Sequence, residues 1–136
     1  MYKIVFSEAK AKAELKDFLK EIKKDKNIVA AYLFGSYITG RTKEESDVDI
    51  CIIPIDEKYD VYKYNQDLVQ ASNFWKLPPN IQYHILFEGK LLYLPKKYDY
   101  KIHKLKFKTI GEYDFYKRLI LNKRYEWIIN GWTCQR

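Results

Sequence analysis

Two short apolar runs, joined by a polar stretch, place the strongest constraint on how this chain can fold. The first run covers residues 28–34 and ends at Gly35-Ser36, a pair that suits a tight turn after a strand. The second run covers residues 48–53 and is bounded by Pro54. We predict that both runs are buried strands of a small sheet, joined by a short helix or turn and a polar loop over residues 37–46.

Two aspartates, Asp47 and Asp49, accompany the second run and indicate a chemical role. Side chains alternate along a strand, so these carboxylates occupy one face and the apolar residues around them the other. Two neighbouring carboxylates repel each other unless a cation neutralises them, and hard oxygen ligands suit Mg²⁺. A glycine–serine turn at a helix start offers free N–H groups and a hydroxyl to phosphate oxygens. Either feature alone is common, but together they predict a site for Mg²⁺ and nucleotide phosphates at Gly35, Ser36, Asp47 and Asp49.

The remaining sequence predicts helices and one more strand around these two. Residues 7–24 carry apolar side chains at helical spacing, with Ser7 as the N-cap, and the spacing over residues 61–75 also favours a helix. We therefore expect a single α/β (α+β) domain over residues 1–136, with a small mixed sheet flanked by helices. The other predicted elements are a helix over 80–87 begun by Pro78-Pro79 and ended by Gly89, a strand over 90–94, and a helical tail from about Tyr100.

The composition is that of a globular protein, with 47% hydrophobic residues. No apolar run reaches the roughly 18 residues of a membrane span, and the N-terminus lacks the apolar segment of a signal peptide. We therefore expect a cytoplasmic protein without a membrane partner, and Cys51 and Cys134 suggest no disulfide framework. The net charge is +7, with a basic excess over residues 90–124 that fits a solvated surface better than a nucleic-acid module.

The segment around the turn and the aspartates resembles the signature of minimal nucleotidyltransferases of the DNA polymerase β superfamily. The matching residues read LFGSYITGR at 33–41 and ESDVDI at 45–50. Residues 78–93 resemble the closing helix and strand of that family, and residues 112–117 resemble the start of its C-terminal helix. The group is similar to the antitoxins that are paired with HEPN-domain toxins.

This resemblance implies a polymerase β-like fold and transfer of a nucleoside monophosphate to a hydroxyl. It implies that Gly35 and Ser36 grip the triphosphate of ATP or another NTP, and that Asp47 and Asp49 bind Mg²⁺ and carry the catalysis. It also implies that the acceptor is a partner protein, such as a HEPN-type toxin.

A third carboxylate is expected from the resemblance, on a strand just before the Pro-Pro segment. Asp67 is the best match, as a general base or a further metal ligand, although the stretch between Pro54 and Pro78 is short. Asp67 also lies within the helix predicted over residues 61–75, where it would be an ordinary surface acid. Without a third acid, the protein would bind nucleotide without turning it over efficiently.

Other interpretations stay open at this point. The chain could be a catalytically weak nucleotide-binding antitoxin that acts by clamping its partner. It could modify a small molecule such as an aminoglycoside, although it has little room for an acceptor-binding domain, or bind nucleic acid through its basic half, which a salt-dependent affinity would reveal. The apolar end of the last helix, with Trp127 and Trp132, predicts a homo-oligomer or a complex with a second protein.

Overall fold

The architecture is a small β-sheet with helices on both faces. The computed structural model describes residues 2–35 and 48–133, with side chains for residues 9–35 and 48–123. In these two stretches no helix is long and apolar enough to cross a bilayer. The helices and strands described there are α1 (Tyr2–Ile22), β1 (Ile28–Phe34), β2 (Val48–Pro54), β3 (Val69–Asn73), α2 (Pro79–Glu88), β4 (Lys90–Tyr93) and α3 (Asp99–Thr133), with single 3₁₀ turns at Tyr62–Tyr64, Phe74–Lys76 and Lys96–Tyr98.

The sheet has the strand order β3-β2-β1-β4. The inner strand β1 pairs antiparallel with β2 on one side and with β4 on the other. β2 pairs in parallel with β3, so the sheet is mixed, as predicted. Both apolar runs of the sequence form the inner strands, because strands buried on both faces need apolar side chains pointing in both directions.

Each face of the sheet carries its own apolar cluster, which follows from the alternation of side chains along the strands. α1 covers one face, called here the α1 face, and α2 with α3 covers the other, called the α2/α3 face. Packing helices on each face removes the apolar side chains of that face from water, which stabilises the packing of the helices on the sheet. The α1 face contains Phe18, Ile22, Val48, Ile50, Ile52, Val69 and Ala71, and the α2/α3 face contains Tyr32, Cys51, Ile53, Phe74, Ile85, Leu86 and Ile102.

The helix predicted over residues 61–75 is wrong. That stretch contains a 3₁₀ turn at Tyr62–Tyr64 and then the strand Val69–Asn73, whose side chains are alternately buried and half-buried. The strand forms because the backbone of β2 needs a hydrogen-bonding partner on its outer side, and local helical spacing does not outweigh that requirement. The first helix also begins earlier than predicted, at Tyr2, so Ser7 lies within it and is not its N-cap.

The end of α2 is held tightly against β1, and this close approach requires glycine. The N–H of Gly89 donates to the carbonyls of His84 and Ile85, which closes the helix. A Cβ placed on Gly89 would lie 2.4 Å from the Ile85 carbonyl oxygen and 3.2 Å from that of Leu33. Glycine therefore lets the chain turn directly from α2 into β4, beside the last residues of β1.

A polar network anchors the segment that joins β2 to β3. The carboxylate of Asp25, which is largely buried, accepts hydrogen bonds from the hydroxyls of Tyr59 and Tyr64. Burial raises the pKa of Asp25, but these bonds and those from Asn27 outweigh burial and hold the pKa below its ordinary value. The network fixes this connection to the start of β1, at the end of the sheet away from Gly35.

Candidate active site at the end of β1

The turn after β1 lies directly over the carboxylate of Asp49. Phe34, the last residue of β1, is the antiparallel partner of Asp49 in β2. The next residue, Gly35, has a φ of 87°, a left-handed conformation that residues with side chains adopt rarely. A Cβ on Gly35 would lie 2.8 Å from Asp49 Oδ2. Glycine therefore fits this position for two reasons: it adopts the backbone angle, and a Cβ here would require the Asp49 carboxylate to shift.

Asp49 is a half-buried acid on an otherwise apolar strand. It belongs to the α2/α3 face, because it alternates with Ile50 and shares its side of β2 with Cys51. Burial raises the pKa of the Cys51 thiol, which keeps this sulfur in its neutral and unreactive form. Asp49 is therefore the ionisable group on this part of β2 that the structure leaves partly exposed, beside the Gly35 turn.

Gln70 is the residue beside Asp49 on the neighbouring strand, and sequence reasoning missed it. The two residues are Cα partners in the parallel β2–β3 ladder, so their side chains leave the same face of the sheet. Gln70 is half-buried, and its Nε2 donates to the backbone carbonyl of Gln66 at 2.8 Å. The alternation of Val69 and Ala71 with polar residues is the signal that could have identified this strand and its position.

Asp67 occupies a different environment from Asp49. It lies in a bend just before β3, with a side chain that is 79% exposed. Its carboxylate pairs with the ammonium group of Lys10 at 2.8 Å, and the hydrogen bond to Lys10 lowers its pKa. Lys10 belongs to α1, which packs on the face of the sheet opposite to Asp49. The described contacts thus connect Asp67 with α1 and not with the α2/α3 face.

Glu14, a buried carboxylate on α1, holds the beginning of β3 in place. Its Oε1 accepts the N–H of Leu68 at 3.0 Å, and the carbonyl of Leu68 in turn accepts the N–H of Val48 at 2.6 Å. Its other oxygen, Oε2, is buried and has no hydrogen-bond partner among the described residues. This chain of bonds fixes the residue immediately before Asp49, so the position of the candidate site depends on α1 as well as on the sheet.

Two of the predicted site residues, Ser36 and Asp47, lie outside the described residues, as does the predicted loop over 37–46. The structure therefore brings together Gly35 and Asp49 from the predicted set. A carboxylate beside an open glycine turn at the rim of a sheet can accept a cation or a hydrogen bond from a ligand approaching the rim. A side chain on Gly35 would occupy the space beside that carboxylate.

Comparison with known proteins finds a family whose model matches more than half of the chain. The family described as "Polymerase beta, Nucleotidyltransferase" matches residues 14–98, which include the end of α1, all four described strands and α2. No match was found among the curated proteins.

Solved structures with the same fold include chains of toxin–antitoxin complexes. A toxin–antitoxin structure with AMP-PNP has a TM-score of 0.60 at 19% identity, covering 89% of this chain and 97% of that chain. The MntA-HepT toxin–antitoxin has a TM-score of 0.54 at 18% identity, covering 90% and 97%. A tri-AMPylated Shewanella oneidensis HEPN toxin in complex with an MNT antitoxin has a TM-score of 0.51 at 19% identity, covering 96% and 98%. At these identities the likeness establishes a shared fold, the polymerase β-like fold predicted from the sequence.

Proposed function

The chain belongs to the polymerase beta nucleotidyltransferase family, and we propose that it transfers AMP from ATP to a hydroxyl group of a partner protein. The observation that carries the proposal is the close approach of the Gly35 turn to the carboxylate of Asp49. Support for the donor and acceptor comes from structures of the same fold, which include a complex with AMP-PNP and an AMPylated HEPN toxin. A HEPN-type protein is therefore the acceptor that we would test first.

Asp47 and Asp49 are the residues that would hold Mg²⁺. The donor chemistry fits, because Asp49 is a half-buried carboxylate beside the exposed Gly35 turn and Mg²⁺ prefers oxygen ligands. The ion, when bound, would neutralise negative charge on the triphosphate and on the departing pyrophosphate. Asp47 stays a predicted ligand on the strength of its spacing from Asp49.

Binding and positioning are the main tasks of the protein groups in the proposed reaction. The acceptor oxygen forms a bond to the α-phosphorus, the bond from that phosphorus to the bridging oxygen of the β-phosphate breaks, and pyrophosphate leaves with the electron pair. Gly35 and Ser36 would hold the β- and γ-phosphates through backbone N–H groups and the serine hydroxyl. Holding donor and acceptor in line removes much of the entropic barrier to such a displacement.

The acceptor hydroxyl must also lose its proton. Whether the chain has a residue that takes this proton decides between an efficient transferase and a catalytically weak one. Asp67 remains the predicted third acid, but its ion pair with Lys10 ties it to α1. Gln70, beside Asp49, is an amide and cannot accept a proton at neutral pH. A neutral residue beside Asp49 favours a second candidate function, a catalytically weak antitoxin that binds nucleotide and acts mainly by binding its partner.

The decisive experiment measures transfer of label from α-labelled ATP to a purified HEPN-type partner. We expect Asp47→Asn with Asp49→Asn to abolish transfer, because neutral amides are poor ligands for Mg²⁺. Asp17→Asn, which changes an exposed acid on α1, is the matched control and should keep full activity. Full activity in the double variant would refute the transferase mechanism.

Thermal unfolding with Mg·ATP, read together with the label-transfer assay, separates the two candidate functions. Both predict stabilisation, of about 2.7 kcal/mol at a ligand concentration of about 100 times Kd. Stabilisation without label transfer would support the binding-only function, and Gln70→Glu should then increase transfer by supplying a proton acceptor beside Asp49. The Asp67→Asn variant tests the third acid, since loss of a general base lowers the rate by about a hundredfold or more.

A further inference from the structure

The long helix α3 carries apolar residues on two opposite faces, and the described residues of the chain cover one of them. The inward face carries the buried residues Ile102 and Thr109, and Tyr113 stacks on Tyr83 of α2 with ring centroids 4.4 Å apart. This contact attaches α3 to the α2/α3 face of the sheet. A surface helix normally has apolar residues on the face toward the core and polar residues on the other, so the apolar residues of the outward face need their own explanation.

The outward face, called here the α3 outer face, presents large apolar side chains to solvent. Phe107 and Phe115 are 78% and 64% exposed, so most of each phenyl ring lies in water. Residues at this spacing lie on one side of a helix, so these side chains form one stripe. The stripe consists of Tyr100, Phe107, Ile110, Phe115 and Leu121.

Gly111 lies in the middle of the α3 outer face, between Phe107 and Phe115. A Cβ on Gly111 would meet no atom within 4 Å, so the fold of the chain does not require glycine there. Glycine is among the least favourable residues in a helix interior. A position without a side chain, flanked by two phenyl rings, allows the backbone of another helix to approach closely between them.

The charge of α3 indicates the kind of partner. From 99 to 123 the helix has seven basic residues and three acidic ones. Two of the acids already pair within the helix, Glu112 with Lys108 at 3.8 Å and Asp114 with Arg118 at 3.2 Å. A second copy of the chain would bring the same positive excess to the interface, and like charges at an interface oppose association.

We propose that the α3 outer face is a docking surface for a helix of a different protein, one with apolar residues along one side and an acidic border. The stripe and Gly111 would take the apolar side of that helix, and the surplus lysines of α3 would face its acids. This inference does not depend on nucleotide transfer, because none of these residues belongs to the Gly35 and Asp49 site.

The test uses the full chain and a labelled synthetic helical peptide with leucine along one side and glutamate on the flanking positions. A matched peptide with lysine in place of every glutamate is the charge control. We expect the acidic peptide to bind and the lysine peptide not to bind. The double change Phe107→Ser with Phe115→Ser should lower the affinity for the acidic peptide by about tenfold or more, as for central residues of interfaces. Ile55→Ser, which removes an exposed apolar side chain away from α3, should leave the affinity unchanged.

Gly111 gives a second, independent measurement. Gly111→Leu should raise or maintain the melting temperature, because leucine favours helix, and should still weaken peptide binding by filling the gap between the phenyl rings. Asp49→Asn should not change peptide binding, which separates this proposal from the proposed function. The proposal would be overturned if both peptides bound equally well, or if the two α3 variants kept the affinity of the native chain. It would also be overturned if the chain dimerised through α3, or if it bound RNA and the double serine variant lost that binding.

Discussion

Replacing Gly35 by alanine tests the contact on which the candidate site depends. Alanine at a φ of 87° has a backbone penalty of about 1–2 kcal/mol for the left-handed conformation. Its Cβ would also lie 2.8 Å from Asp49 Oδ2, and forcing atoms into occupied space typically adds about 1–3 kcal/mol. We therefore expect Gly35→Ala to lower the free energy of unfolding by about 2–5 kcal/mol, measured by urea denaturation.

A double-mutant cycle divides this loss into its two causes. In an Asp49→Ala background the carboxylate is gone, so Gly35→Ala should lower the stability by the backbone penalty alone. The coupling energy between the two positions is then about 1–3 kcal/mol, as for residues in direct contact. Gly35→Asn is a control for the backbone, because asparagine tolerates the left-handed region better than alanine. Additive effects, within about 0.5 kcal/mol, would show that Gly35 and Asp49 are not in contact and would refute the reasoning.

Three further predictions concern other parts of the fold. Gly89→Ala should destabilise the protein by about 1–3 kcal/mol, because its Cβ would lie 2.4 Å from the Ile85 carbonyl oxygen, and urea denaturation measures this loss. The lowered pKa of Asp25 means that its ionised form stabilises the fold above the ordinary carboxyl pKa. The stability advantage of the native chain over Asp25→Asn should therefore shrink as the pH falls below about 3.8, and an advantage independent of pH would contradict the network. In a Cys134→Ser background, Cys51 should react with a thiol reagent in urea and not in native buffer, because it is fully buried; rapid native labelling would contradict its position.

The sequence predicted the inner strands and α2 because strong local signals mark them. Residues 28–34 and 48–53 are continuous apolar runs, and a run buried on both faces has few alternatives to an inner strand. Pro79 and Gly89 are residues with well-known preferences for the two ends of a helix, and the observed helix Pro79–Glu88 lies between them. These elements follow from side chains that are close neighbours along the chain.

β3 could not be predicted in the same way, because its partner is distant in sequence. Val61 and Leu68 lie at helical spacing, yet they occupy different parts of the molecule. Val61 belongs to the apolar cluster of the α1 face, and Leu68 immediately precedes β3. The strand exists because β2 offers it a ladder of backbone hydrogen bonds. The position of Gln70 beside Asp49 depends on that register, and so the neutral neighbour of the candidate site was hidden as well.

The strand order also has a consequence for a chain that is still being synthesised. β1 pairs on one side with β2, which follows it closely, and on the other with β4, which is made only after β3 and α2. Closing a long loop is slower and entropically more costly than closing a short one, so β4 should join the sheet last. Until residues 79–123 have left the ribosome, the side of the sheet that includes Cys51 and Ile53 lacks α2 and α3, the described helices that cover it. The nascent chain at that stage exposes apolar surface, and this is the stage at which we expect it to aggregate most readily or to need a chaperone.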